Sequence, residues 1–209
     1  MTSRLGFSLS ILLLMLAAGS SYQLAGERGW YGRKACLAFK GLTTAFAAVL
    51  ALYAYSETLQ AYALVMAGGI ILCAAADVLL DLHFLSGTAC FAAGHLAYIA
   101  SFWMRGCPQT PSLVLFIILA GVSTAAALSV RKRVDFKVLP FYLYALVISL
   151  MTASALALPA WVFLGAALFV LSDGIIARRL IMPGRPPWHR ACILLYYCAQ
   201  YTLAATLLL

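Results

Sequence analysis

Acidic residues are scarce in this chain: six Asp and Glu stand against 14 Lys and Arg in 209 residues, and charged residues of both signs make up only 10%. That excludes an ordinary soluble domain, in which about a quarter of the residues are charged. No CxxC pair occurs, and the three histidines lack a metal-binding spacing such as HExxH. Cys36, Cys73, Cys90, Cys107, Cys192 and Cys198 therefore read as small hydrophobes, all but one of them in or at the ends of apolar runs. No metal site is expected. A serine nucleophile elbow, a Walker loop and a dinucleotide fingerprint are absent as well. Ser172, beside Asp173, is the one serine to watch, and it has no base adjacent in sequence.

What the chain has instead is apolar length. Hydrophobic residues make up 65%, and mean hydropathy is +1.00. Stretches of about 20 apolar residues recur throughout, the pattern of an all-α integral membrane protein with a single polytopic domain over residues 1–209. Eight spans are expected: Leu5–Leu24, Ala35–Ala54, Ala61–Leu80, Thr88–Met104, Pro111–Val130, Val138–Leu158, Ala160–Ala177 and Ala191–Leu209. A seven-span alternative would merge or drop one of the shorter ones. Arg4 followed by an apolar run and LAAGSS resembles a signal peptide, but the run is long enough to span and is read as the first helix.

The net charge of +8 does not point to nucleic acid. Most basic residues sit in short loops, where positive-inside topology and anionic headgroups account for them. Odd-numbered connections carry Arg28, Arg33 and Lys34, then Arg131, Lys132, Arg133 and Lys137, then Arg178, Arg179, Arg185 and Arg190. Only Arg4 and Arg105 lie on the other side. The odd connections are thus expected in the cytoplasm and both termini outside.

Two of the few carboxylates lie within apolar runs: Asp77 in GGIILCAAADVLLD and Asp173 in FLGAALFVLSDGIIA. An Asp at a membrane-helix centre costs about 2.5–3.5 kcal/mol on insertion scales, so such residues mark function by default. Each stands three or four residues before the expected inner end of its span, about 5–6 Å deep. Two carboxylates at one depth can share a site and supply one acid and one base. The alternative is a structural hydrogen bond to a neighbouring helix or to Lys40.

Lys40 and His95 fall in the same inner half, with Asp81 and His83 expected in the short loop at its mouth. Lys40 can snorkel to the surface, pair with an aspartate or bind a lipid phosphate. His95, in GHLAYIASF, suits a proton relay or a hydrogen-bond anchor, and Tyr98 shares its motif. Tyr196 and Gln200, in LLYYCAQYTL, are candidates to line the same cavity, although tyrosines also belong at membrane interfaces. A weak repeat with a period of about 96 residues matches AFKGLTTAF to DFKVLPFYL, Gly69 to Gly165, Leu72 to Leu168 and Asp77 to Asp173. It would make two parallel four-helix halves. Paired intramembrane carboxylates in such halves also suit a proton-coupled transporter, the competing function. The crowding of charge toward one face and the absence of Pro around both aspartates favour an enzyme.

Lys40-x-Leu, the ADVLLD around Asp77, GHLAYI, LFVLSDGIIA and YYCAQY occur in an order that resembles the YhhN-type membrane proteins, which include the lysoplasmalogenases. The likeness covers roughly Lys34 to Thr202. Gly41 stands where that family often has Pro after the Lys. The resemblance implies eight spans, residence in a bacterial inner membrane and hydrolysis of the vinyl-ether bond of lysoplasmenyl-ethanolamine or -choline. The products would be a fatty aldehyde and glycerophosphoethanolamine or glycerophosphocholine. It further implies catalysis by Asp77 and Asp173 without metal or cofactor and a lysophospholipid substrate as partner; Lys40, His95, Tyr98, Tyr196 and Gln200 are the substrate contacts expected from the residues themselves. A member that has lost activity and serves as a membrane interaction partner is a third possibility.

Overall fold

The computed structural model describes residues 2–28, 32–106, 108–131, 138–181 and 189–209. Cys107, Lys132, Arg133, Lys137, Arg185 and the first part of the second repeat motif lie outside them. Among the described residues the chain is all-helical. The helices are α1 (Thr2–Arg28), α2 (Arg33–Thr58), α3 (Ala61–Leu82), α4 (Phe84–Arg105), α5 (Thr110–Val130), α6 (Leu139–Ala155), α7 (Ala160–Ile181) and α8 (His189–Ala205). Each expected span corresponds to one helix. Six are long and apolar enough to cross a bilayer: all but α6 and α8, which have 17 residues each. The chain is an integral membrane protein; helix length by itself supports six crossings.

The boundaries depart from the sequence reading in instructive places. α4 starts at Phe84 rather than Thr88, and Asp81 belongs to the last turn of α3 rather than to a loop. Only His83 separates the two helices. Its N–H donates to the Leu79 carbonyl, and its carbonyl accepts from Gly87 N–H at 2.9 Å. Gly87 allows this reversal, because a Cβ there would sit 2.5 Å from Leu80 Cα and N. α6 ends early, at Ala155, with residues 156–158 wound into a tighter turn before Pro159, which disfavours helix in the residue ahead of it. α7 runs on past Ala177 to Ile181. Asp173 thus stands about 12 Å from its helix end and Asp77 about 7.5 Å from its own, at 1.5 Å per residue. The expected equal depth does not extend to the helix ends.

Small residues let the helices approach. Ala47, Ala48, Ala51 and Ala54 of α2, Ala63, Ala67 and Ala76 of α3, and Gly69 are buried. Leu42, Val49, Leu52, Leu64 and Ile71, on other faces of the same helices, are exposed to the lipid side. Lipid is as apolar as leucine, so close packing rather than hydrophobic burial holds such helices together. α3 and α4 cross at Gly69 and Gly94, where a Cβ on either would come within 2.9 Å of the other's carbonyl oxygen. α7 and α8 cross at Gly165, where a Cβ would meet Leu203 at 2.9 Å. At Gly41 the helix runs on unbroken, and the missing side chain admits Val78 and the Ala74 carbonyl of α3.

The helix contacts follow a pattern. α2 packs on α3 and α3 on α4, as α6 packs on α7 and α7 on α8; α2 also meets α8, as α6 meets α4. α5 packs on α6 and, among the described residues, buries only Ser112. Contacts at the ends place the helices' directions. Lys40 and Arg33, early in α2, meet Asp81 at the end of α3. At the opposite end Arg4 meets Glu57, Arg105 meets the Thr206 carbonyl and Trp103 Nε1 donates to Ser154. α2, α4, α6 and α8 therefore run one way, and α1 and α3 the other.

Candidate functional site

Asp77 is buried, 2% exposed, and faces α2 and α8. Its Oδ2 accepts from Thr44 Oγ1 at 2.5 Å and from Tyr196 OH at 2.8 Å. Tyr196 and Gln200 are one turn apart on α8, so they share a face. Gln200 Nε2 donates to Tyr196 OH at 3.3 Å, and Gln200 Oε1 accepts from Tyr98 OH of α4 at 2.7 Å. The result is a directed chain, Tyr98 to Gln200 to Tyr196 to Asp77, linking three helices. Cys73, one turn before Asp77, lies 3.5 Å from Tyr98 OH.

Asp173 is half-buried and accepts a hydrogen bond from Tyr144 OH of α6. Thus each aspartate accepts a hydrogen bond from a hydroxyl of the helix before it in the chain: Thr44 of α2 for Asp77 of α3, Tyr144 of α6 for Asp173 of α7. No direct hydrogen bond joins Asp77 to Asp173 among the described residues. Each carboxylate rests on its own hydroxyl partners.

His95 bridges the gap between them. It is fully buried, and its Nδ1 lies 2.7 Å from the Phe91 carbonyl one turn earlier. The ring packs edge-on against Phe169 of α7, with centroids 4.5 Å apart, and lies 5.7 Å from the Tyr98 ring and 5.6 Å from the Tyr144 ring. Phe169 also meets Tyr196 at 5.3 Å. One aromatic cluster therefore joins the Asp77 network to the Tyr144–Asp173 pair, with His95 at its centre.

Lys40 takes one of its open alternatives: Nζ pairs with Asp81 Oδ2 at 2.7 Å. The Lys40 side chain is largely buried and that of Asp81 is open, so the pair stands at the edge of the bundle. Arg33 Nη2 donates to the Asp81 carbonyl at 2.8 Å. Ser172 plays a structural part, donating to the Cys192 carbonyl at 3.0 Å and joining α7 to α8. An apolar groove between α7 and α8, lined by Leu171, Ile175, Ala191, Leu194 and Leu195, opens on the side of α7 away from Asp173.

Lys40, Asp77, His95, Tyr98, Tyr196 and Gln200 are thus neighbours in one region, with Asp173 joined through Tyr144. Sequence reasoning misses Thr44 and Tyr144. Thr44 has a signal: it lies one turn after Lys40, on the face that must meet Asp77. Tyr144 has none, because in an apolar run a tyrosine facing a carboxylate looks like one facing lipid.

Comparison with known proteins places this geometry in a lineage. Lysoplasmalogenase TMEM86B of Homo sapiens is 32% identical over 149 residues, covering 70% of this chain and 65% of that protein. Its namesake from Sus scrofa is 31% identical over 182 residues, covering 85% and 76%. That from Mus musculus is 31% identical over 120 residues, covering 57% and 52%. The chain thus spans just under two thirds of the human relative's length. No solved structure matches it. The YhhN family matches residues 35–207, a stretch that takes in α3 to α8 and nearly all of α2 and so both aspartates, His95 and the α8 tyrosines: this chain belongs to the YhhN family.

Proposed function

We propose that this protein is a lysoplasmalogenase, cleaving the vinyl-ether bond of lysoplasmenyl-ethanolamine or -choline to a fatty aldehyde and the glycerophospho-alcohol. The observation that carries the reading is the pair of inward-facing carboxylates, Asp77 and Asp173, each held by a hydroxyl from the preceding helix and joined by one aromatic cluster. The name lysoplasmalogenase carried by the TMEM86B relatives supports the same reading.

A vinyl ether is hydrolysed by protonation at carbon, which produces an oxocarbenium ion that water then attacks. The site must supply a proton donor and a carboxylate that stabilises the cation, a division of labour similar to that of the two carboxyls of glycosidases. Asp77 and Asp173 are assigned these roles. Tyr98, Tyr196 and Gln200 line the reacting region with His95. Lys40, at the bundle edge, meets the headgroup phosphate by exchanging or sharing Asp81. Lipid enters laterally, its alkenyl chain remaining among the helices.

The reading includes eight crossings in two parallel halves, α1–α4 and α5–α8, a bacterial inner membrane, both termini periplasmic and the Lys40 end cytoplasmic. The recurring helix contacts, the Gly69 and Gly165 crossings and the basic loops support it.

The test is aldehyde release from lysoplasmenylethanolamine by purified, detergent-solubilised protein, with Asp77→Asn and Asp173→Asn assayed beside it. General acid–base groups contribute about 10²–10⁴-fold, and each variant should lose at least that much while remaining folded. A folded wild type that releases no aldehyde would sink the assignment and direct attention to proton-coupled transport in liposomes.

A further inference from the structure

One buried polar atom in the aromatic cluster takes no part in these hydrogen-bond networks. Among the described residues, His95 Nε2 is buried without a hydrogen-bond partner. The other ring nitrogen, Nδ1, is 2.7 Å from a backbone carbonyl, which can only accept, so Nδ1 carries a proton. In the neutral ring Nε2 then bears the lone pair. An unmet buried acceptor costs about 1–3 kcal/mol, which a tightly packed interior normally removes by repacking or satisfies with ordered water. Here the ring is not free to turn. Phe169, Tyr98, Tyr144 and Phe91 surround it.

The neighbouring hydroxyls define what can meet Nε2. Tyr98 OH donates its one proton to Gln200, and Tyr144 OH donates its own to Asp173. Both oxygens keep lone pairs but have no proton left to offer the histidine. The partner of Nε2 must therefore bring its own proton, and a water molecule is the smallest species that does so, with a second proton for a tyrosine oxygen.

We propose that His95 Nε2 holds the hydrolytic water and accepts its proton when that water adds to the oxocarbenium carbon. The assignment rests on the lysoplasmalogenase reading for the reaction, although the water site itself does not. The step balances. One aspartic acid gives its proton to the alkenyl carbon. Water oxygen bonds to the cationic carbon as its proton passes to Nε2, leaving a hemiacetal. The hemiacetal hydroxyl then returns a proton to the aspartate, the carbon–oxygen bond to glycerol breaks, and Nε2 gives its proton to the departing oxygen. Aldehyde and alcohol leave with both groups restored.

The experiment combines kinetics with nitrogen spectroscopy. In ¹⁵N-histidine-labelled wild type, without lipid, the His95 Nε2 resonance should be that of a hydrogen-bonded lone pair correlated with water protons, with His95→Gln identifying the signal. His95→Phe should lower kcat for aldehyde release by about 100-fold or more with little change in KM, and His95→Gln, whose amide oxygen can accept, should recover part of it. A protonated Nε2, or a bare lone pair without water contact, overturns the proposal whatever the activity. So does a His95→Phe protein within about threefold of wild-type kcat, far short of what a general base contributes. If neither variant folds, the wild-type resonance decides the water site. If the wild type itself releases no aldehyde, the lysoplasmalogenase reading falls together with the base role, and the same resonance still decides whether water is held.

Discussion

Asp77 and Asp173 differ in what surrounds them, and their neighbours have testable weight. Tyr196 gives Asp77 one of its two hydroxyl bonds, whereas Tyr144 is the hydroxyl partner of Asp173 among the described residues. A hydrogen bond to a charged group is worth about 1.5–3 kcal/mol, so Tyr144→Phe should slow aldehyde release on the order of 10- to 100-fold. Tyr196→Phe should have a smaller effect, since Thr44 remains. Steady-state rates of the two purified variants check the order. The aspartates are legible in sequence because a carboxylate within an apolar run is costly and therefore conspicuous. Their partners are less so. A tyrosine or threonine in a membrane helix carries little penalty and does not announce its contact.

At the scale of elements, backbone approach decides. Gly87→Ala should lower stability in detergent by about 1–3 kcal/mol, because the new methyl meets the Leu80 backbone rather than a side chain that can turn away. Gly68, one residue from the α3–α4 crossing, has open space where a Cβ would stand, with nothing within 4 Å, and Gly68→Ala should be neutral or stabilising by up to roughly 1 kcal/mol. Thermal unfolding of the two variants gives opposite signs. α2 ends on Leu59, which adopts a left-handed conformation (φ 53°) and is 75% exposed. Leu59→Gly should raise stability by about 1–2 kcal/mol, the usual cost of that conformation for an L side chain. Apolar run length locates the eight described helices, but not the one-residue reversal at His83, which depends on Gly87 fitting against Leu80.

For the whole molecule, the prediction concerns sidedness. Gln60 and Ser86 are exposed at opposite ends of the bundle. In a cysteine-free background expressed in bacteria, Gln60→Cys should react with an impermeant maleimide added to intact cells, and Ser86→Cys only after permeabilisation. The reverse pattern would invert the membrane orientation while leaving the fold untouched. The basic loops carry this expectation, since Lys and Arg resist translocation. The contacts that set helix direction, Lys40 with Asp81 at one end and Arg4 with Glu57 at the other, agree on which helix termini lie together.

Composition by itself determined that this is a helical membrane protein, because a chain with 65% hydrophobic and 10% charged residues, in apolar runs of helical length, satisfies its backbone in lipid by forming helices. The rarity of charge likewise singled out Asp77, Asp173, Lys40 and His95. Only the tertiary structure decided their partners. Lys40 goes to Asp81 rather than to Asp77, the two aspartates keep separate hydroxyls, and one nitrogen of His95 has no partner among the described residues. The physical reason is that helix spacing sets which residues share a face, whereas partners across helices depend on crossing points set by Gly69, Gly94 and Gly165, small residues whose importance is invisible until the helices meet.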